Sequence, residues 1–385
     1  MKVSRRDVLK IGGSVLIVMA GGGIWRAMDQ GVFSTGQGVA YEPWENWRDS
    51  TNPLERIVAA GILASNPHNS QPWLFRIAQS KIELFADTSR QIGVIDPFLR
   101  EMFIGLGCAL ENMLLASEVE GFTVNLSLMP DSNDETLVAT LQLSQSAPKD
   151  SNLYIAIPNR HTNRGTYNTS IKLEDEVFQQ IEALVNEIDV QIFWFKDEKS
   201  HQEFSQVALQ ATEDLIADEQ QSMDSHFWWR HDWDELQEKA DGLTLDAQSL
   251  GSITPIAKIL PDLPREQNDQ AFVKNLREIM LPTAAAFGIL AIKDWENNEQ
   301  RLKCGRIWQR IHLWGTMQGL AMQPLNQMCE RVDREIQLGT DMKIGRQVRA
   351  LLANDDWHAV MPFRLGYPTD APNLSPRRGL DQVIL

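Results

Sequence analysis

Residues 98–119 form one long, mostly apolar run at helical periodicity, with Gly105 and Gly107 in its middle. A helix that is apolar on every side has to be buried. Two glycines so close together let another backbone approach, so this helix is expected at a buried helix–helix contact. A second long helix is read over residues 300–328, where Ile307, Ile311, Trp314 and Leu325 recur on roughly one face. Residues 104–112 and 314–321 correspond loosely. Each follows strands and precedes a short return segment, which hints at an internal duplication.

The elements around these helices fit two successive sets. In the first, Asn52-Pro53 opens a helix with Leu54, Ile57, Val58, Gly61 and Ile62 at helical spacing. Short strands are read at 73–77 and 82–85, joined at Gln79-Ser80, and again at 123–128, 137–143 and 153–157. After Arg164 a helix at 173–186, a strand at 190–195 and a helix at 201–217 open the second set. A buried strand at 284–292 and a last strand at 357–363 complete it. Residues 223–270 read as irregular, with Phe227, Trp228, Trp229 and Trp233 within seven residues. Mixed strands and helices around long central helices give an α+β fold. The expected division is 1–36 as signal and linker, 37–158 as a first half and 159–385 as a second half. An insertion occupies about 223–263 of the second half.

With 385 residues, 43% of them hydrophobic, the chain can bury a substantial core. Its formal net charge of −16 argues against nucleic-acid binding, which needs Lys and Arg on phosphates. A local basic pocket stays open. The three cysteines are scattered and form no CxxC pair, so no disulfide framework is expected, and Cys108 reads as a small core residue. His226 and His231 are not at metal spacing, and no HExxH occurs, so no metal site is expected.

Ser4-Arg5-Arg6-Asp7-Val8-Leu9-Lys10 precedes an apolar stretch from Ile11 to Ile24. A basic start before a short apolar run is an export-signal pattern. The adjacent arginines resemble a twin-arginine signal, with Val8 where that pattern prefers Phe. The run falls short of the ~20 residues of a comfortable membrane span. No clear Ala-x-Ala site follows it, so cleavage and retention as a membrane anchor both stay open. The expected location is periplasmic or otherwise extracytoplasmic.

Three motifs carry chemistry. Asn66-Pro67-His68-Asn69-Ser70-Gln71-Pro72-Trp73 is a loop stiffened by two prolines, and Asn69 and Gln71 each offer a donor and an acceptor on one group. Arg160-His161-Thr162-Asn163-Arg164 sets a hydroxyl between two guanidinium groups, a pattern suited to gripping a phosphate. Ser375-Pro376-Arg377-Arg378 is a basic segment near the end of an acidic chain.

Together, in this order, the three motifs resemble those of the nitroreductase-like FMN flavoproteins, and their arrangement resembles the Acg-like branch. The resemblance implies an FMN-dependent oxidoreductase that passes hydride through flavin N5 between a small-molecule donor and a small organic acceptor. It places Asn66, Pro67, His68, Asn69 and Gln71 at the flavin ring. It places Arg160, Thr162, Arg377 and Arg378 at the phosphate, with Arg364 and Gly366 at the strand end entering the cofactor region. Arg164 would face the ring and stabilise the reduced flavin anion. In the dimeric family one subunit supplies the clamp and the other the loop. Here the loop stands only in the first half and the clamp only in the second, which implies a fused pseudo-dimer with one FMN per chain. The alternative is an FMN-binding protein whose flavin is occluded by the aromatic insertion and turns over little.

Overall fold

Two four-stranded antiparallel sheets repeat one layout. The computed structural model describes residues 25–249 and 254–385, so the export-signal reading of residues 4–24 lies outside the described residues. In the first half, helix α1 (Pro53–Gly61) is followed by β1 (Trp73–Ala78), β2 (Lys81–Ala86), helix α2 (Arg100–Val119), β3 (Phe122–Leu128) and β4 (Leu137–Gln145). Its strand order is β1-β2-β4-β3. Helix α3 (Asn152–Ala156) leads out of it. The second half opens with α4 (Asp175–Glu182), β5 (Val190–Phe195) and α5 (Glu198–Ala217). An excursion follows, with α6 (Glu219–Phe227), α7 (Trp233–Lys239), α8 (Thr254–Ile259) and α9 (Arg265–Asn275). Then come β6 (Ala286–Ile292), α10 (Asn298–Met317), β7 (Ala321–Pro324), α11 (Gln327–Leu338), α12 (Lys343–Leu352) and β8 (His358–Gly366). The order β5-β6-β8-β7 repeats that of the first sheet, and a 20-residue helix stands between second and third strand in each half.

The two long helices cross back to back at glycines. A Cβ on Gly107 would lie 2.2 Å from the Leu302 carbonyl oxygen, and one on Gly305 would lie 2.0 Å from that of Ile104. The contacts are reciprocal: Gly107 stands to Leu302 as Gly305 stands to Ile104. That is the signature of a twofold relation between two equivalent elements. It also corrects the register of the duplication. Residues 104–112 match the middle of α10 rather than 314–321, because Gly315 packs against Met322 of its own half.

Local chemistry explains where the elements begin. Asn52 caps α1, its Oδ1 accepting from Leu54 N at 3.0 Å with Pro53 behind it, an arrangement worth about 1 kcal/mol. Every residue of β6 is buried because the strand faces two cores. Ala286, Leu290 and Ile292 join the main core with Trp308 of α10, while Phe287, Ile289 and Ala291 pack with Phe204 of α5. Helix α2 is long and apolar enough to cross a membrane, yet it sits in the core between its own sheet and α10.

Three expectations are corrected, and two helices are added. Residues 153–157 are helical, since Ser151 Oγ caps Tyr154 N. The stretch read as irregular contains α6 to α9, with Asp218 and Asp232 as N-caps. The helix read to 328 ends at Met317, where Gly319 takes a left-handed φ of +71° and Pro324 closes a strand. Helices α11 and α12 were not read at all.

The C-terminal segment leaves the second half and runs over the first. Arg377 N donates to Ala40 O at 2.7 Å, Phe75 N donates to Val383 O, and Leu385 N donates to Phe75 O. This covers the free edge of β1 and carries Arg377 and Arg378 to the first-half loop.

Candidate functional site

Where the halves meet, one cleft opens with a water-accessible volume of about 180 Å³. Ser65, Asn66, Pro67 and His68 form one wall, and Glu101, Ile104, Gly105 and Cys108 of α2 form the floor. Thr162, Arg164, Trp308 and the Gln323–Gln327 stretch after α10 come from the second half. Ile216, Ser225, Trp229, Leu243, Gln248 and Phe272 close the outer side. The structure therefore unites the loop of one half with the basic motif of the other.

The loop is strained. His68, Asn69 and Gln71 have φ of +47°, +54° and +52°. Left-handed non-glycine residues cost on the order of 1 kcal/mol each and persist where surroundings fix them. Asn66 Oδ1 accepts from Gln71 N at 2.8 Å across the loop, and Pro67 lies on Gly105, where a Cβ would come within 2.9 Å of Pro67 Cδ. His68 Nε2 meets Ser225 Oγ at 3.2 Å. Burial, and then the charge of Arg164, push its imidazole down to about 4, so it is neutral at physiological pH.

Asn69 and Gln71 do not line this cleft. Asn69 Nδ2 donates to Pro376 O at 3.0 Å, and its Oδ1 accepts from Arg377. Gln71 Nε2 donates to Ala240 O at 2.8 Å, and Gln71 Oε1 accepts from Arg378 N at 2.8 Å. Both amides pin the C-terminal segment. Arg364 is also spent on the scaffold, with donors on Gln323 Oε1, Met280 O and Gly165 O. Gly366 gives room to Tyr167, whose ring a Cβ would meet at 2.9 Å. Arg378 donates to Gln71 O and Gln382 O, with Asp87 at 4.0 Å.

Three other arginines are differently placed. Among the described residues no carboxylate lies within 4.0 Å of Arg160, Arg164 or Arg377. Arg160 donates to Leu63 O at 3.1 Å and Arg377 to Ala64 O at 3.2 Å, just beyond the end of α1. The Nε of each is buried with no partner. Carbonyl bonds satisfy donors but leave the charges unneutralised. Burial pushes Arg160 down to about 10, and burial with the charge of Arg160 pushes Arg377 well down. His161 falls to about 3 through burial and the same two guanidinium groups. Arg160 lies within electrostatic reach of Cys108 on the cleft floor. Arg164 lines the cleft itself, with one donor on Ala247 O at 3.1 Å; burial pushes it down to about 10, still protonated at neutral pH. Buried cations without counter-charges are costly. In a chain of net charge −16, two such cations, Arg160 and Arg377, stand beside the cleft without lining it, and the half-buried Arg164 lines it, a basic group suited to an anion.

The cleft's other end is acidic. Glu330 and Glu101 both line it, and Asn326 Nδ2 donates to Glu101 Oε2 at 2.8 Å. Burial and then the neighbouring Glu101 hold the Glu330 carboxyl well above the ordinary range. The sequence reading missed Gln323 and Asn326 because it ran a helix through them, and Glu330 because it read no element just beyond 328; Pro324 was the signal that should have broken the helix.

The insertion's aromatics have separate fates. Trp229 lines the cleft, Trp228 is buried with Ile92 and Ile95, Trp233 stacks on Tyr41, and Phe227 is exposed. Among the described residues no group of three His, Cys, Asp or Glu side chains is placed to hold a metal.

No family model matches the chain. The provisionally named NAD(P)H nitroreductase Rv3131 of Mycobacterium tuberculosis (strain H37Rv) is 28% identical over 116 residues, 30% of this chain and 34% of its own length. This chain thus matches only about a third of that relative. The provisionally named NAD(P)H nitroreductase Acg of the same strain is 22% identical over 342 residues, 87% of this chain and 96% of its own. The similarity to Acg thus runs through most of this chain and nearly all of that one. Among solved structures, the FMN-dependent nitroreductase NfnB of Mycobacterium smegmatis, in complex with NADPH, aligns over 60% of this chain and 96% of its own. Identity is 16% and the TM-score 0.38. A nitroreductase with bound FMN from Desulfitobacterium hafniense aligns over 61% and 96%, at 14% identity and a TM-score of 0.35.

Proposed function

We propose that the protein is an FMN-dependent oxidoreductase of nitroreductase type, built as a fused pseudo-dimer that holds one flavin per chain. The observation that carries this reading is one cleft that both halves build, with Arg164 in its lining and the buried Arg160 and Arg377, which no carboxylate neutralises, held on the Leu63 and Ala64 carbonyls beside its Ser65–His68 wall. FMN, when bound, would supply two-electron chemistry at its N5. The orphaned Nε atoms of Arg160 and Arg377 fit a phosphate, since charge-assisted bonds are the strong ones. Thr162 and Arg164 would meet the cofactor from the second half, and Asn66, Pro67 and His68 from the first. Arg164 would keep positive charge beside the ring and favour its reduced anion. The neutral His68 and the wall of Trp229, Leu243 and Phe272 would exclude water. Residues 1–36 would direct export by the twin-arginine route.

The test is direct. Purified protein should be yellow and release one FMN per chain on acid denaturation, and NADPH in a stopped-flow cell should bleach it. FAD, or two flavins per chain, would remove the basis of the reading. The insertion over the cleft favours one second reading, an occluded flavin with little turnover. Stoichiometric FMN that no nicotinamide or quinol reduces would select it.

A further inference from the structure

Exposed large apolar side chains are concentrated on two segments that touch. Trp25 (65% exposed), Met28 and Phe33 (68%) stand on residues 25–33, and Ile256 (60%), Leu260 and Leu263 on α8 and the turn after it. Arg26 Nε donates to Ile259 O at 2.6 Å, and Lys258 Nζ donates to Gly31 O at 3.1 Å. Gly31 is pressed against Trp233, whose indole a Cβ there would meet at 2.2 Å. Residues 25–33 are therefore docked on the insertion. Soluble surfaces rarely gather large apolar side chains in this way without a partner.

The sequence says what the partner is. The apolar run Ile11–Ile24 leads without a break into Trp25, so the exposed segments lie where that run joins the body. Tryptophan is enriched at the membrane–water boundary. We propose that this face, Trp25, Met28 and Phe33 with Ile256, Leu260 and Leu263, lies against a lipid bilayer that also receives the apolar run. The two cations at the face are already engaged, Arg26 with a carbonyl and Lys258 with Asp246 at 2.8 Å. The chain as a whole is acidic. Attraction here is thus apolar rather than electrostatic, and it should need neither anionic lipid nor low salt. The same insertion gives Trp229 and Gln248 to the cleft, so the docking face and the cleft's outer wall share one segment.

The test uses the full chain. Its native cysteines are all buried, so a single introduced cysteine can be labelled selectively. Phe33→Cys, Ile256→Cys and, as a control, Ile188→Cys (87% exposed, outside the face) each receive an environment-sensitive dye. Zwitterionic phosphatidylcholine vesicles carrying a nitroxide lipid are then added. The expected result is a blue shift and quenching at 33 and 256, none at 188, and no change in high salt. Vesicle binding without quenching at 33 and 256 would mean that the apolar run inserts while the body stands clear, and would overturn the proposal. Absence of vesicle binding would do the same. A blue shift that grows with protein concentration without vesicles would assign the face to a second copy of the chain. None of these readouts depends on bound flavin.

Discussion

Replacing Gly305 by alanine is the sharpest perturbation of this fold. The added methyl would sit 2.0 Å from the Ile104 carbonyl oxygen, 2.8 Å from its carbon and 3.0 Å from the Gly107 Cα. All three atoms are backbone, so no rotamer change relieves the contact. Real Cβ atoms essentially never come nearer than 3.0 Å, so α2 and α10 must part by about 1 Å. That opens the seam where Ile104, Cys108, Ile307 and Trp308 are buried. Overpacking of this kind costs about 3 kcal/mol, the upper end of its usual range. For a chain of this size that is a fall in Tm of roughly 4 °C, taking about 2.1 cal/mol/K of unfolding entropy per residue. Ile104, Cys108 and Trp308 also line the cleft, so ligand binding should weaken with stability. The comparison is Gly319→Ala, which meets nothing within 4 Å and bears only its left-handed φ, a cost of about 1 kcal/mol. Differential scanning calorimetry of both variants at one pH measures the difference. Equal losses, or no loss at Gly305, would show that the helices do not cross as closely as the structure has them.

Three further outcomes are expected. Arg160→Met with Arg377→Met should abolish flavin retention while the apoprotein still unfolds cooperatively; wild type should gain about 2.7 kcal/mol from FMN at one hundred times its Kd, and a double variant that gains as much would clear both arginines of phosphate binding. Glu330→Gln should stabilise the protein at alkaline pH and leave it unchanged near pH 4. The folded carboxyl holds its proton more tightly than the ordinary value of 4.5 allows, so its contribution is present below that value and lost as pH rises through the folded one. A Tm difference between variant and wild type that does not grow with pH would refute this. Trp229→Ala should speed reduction of the bound flavin by dithionite with flavin content unchanged, and an unaltered rate would leave Trp229 as packing only.

What the sequence determined was local or periodic. The apolar run with Gly105 and Gly107 announced a buried helix touching other backbone, and both glycines do so, Gly107 on α10 and Gly105 on the Asn66-Pro67 turn. Asn52-Pro53 announced a helix start, and β1, β2, β3 and β5 follow β-branched and aromatic patterning. The misses had local signals too, Pro324 among them, but helical periodicity alone cannot tell a helix that continues from a strand and a new helix that follow it. Only tertiary structure decided which guanidinium groups keep a donor unused. Arg364 and Arg377 read alike as arginines near the chain end. Arg364 is saturated by Gln323, Met280 and Gly165, while Arg377 keeps a buried Nε without a partner. Likewise Asn69 and Gln71 look like ligand amides in sequence and are used to hold residues 376 and 378. Burial and partnership depend on which distant carbonyls and carboxylates fold alongside a side chain, and sequence spacing carries no record of them.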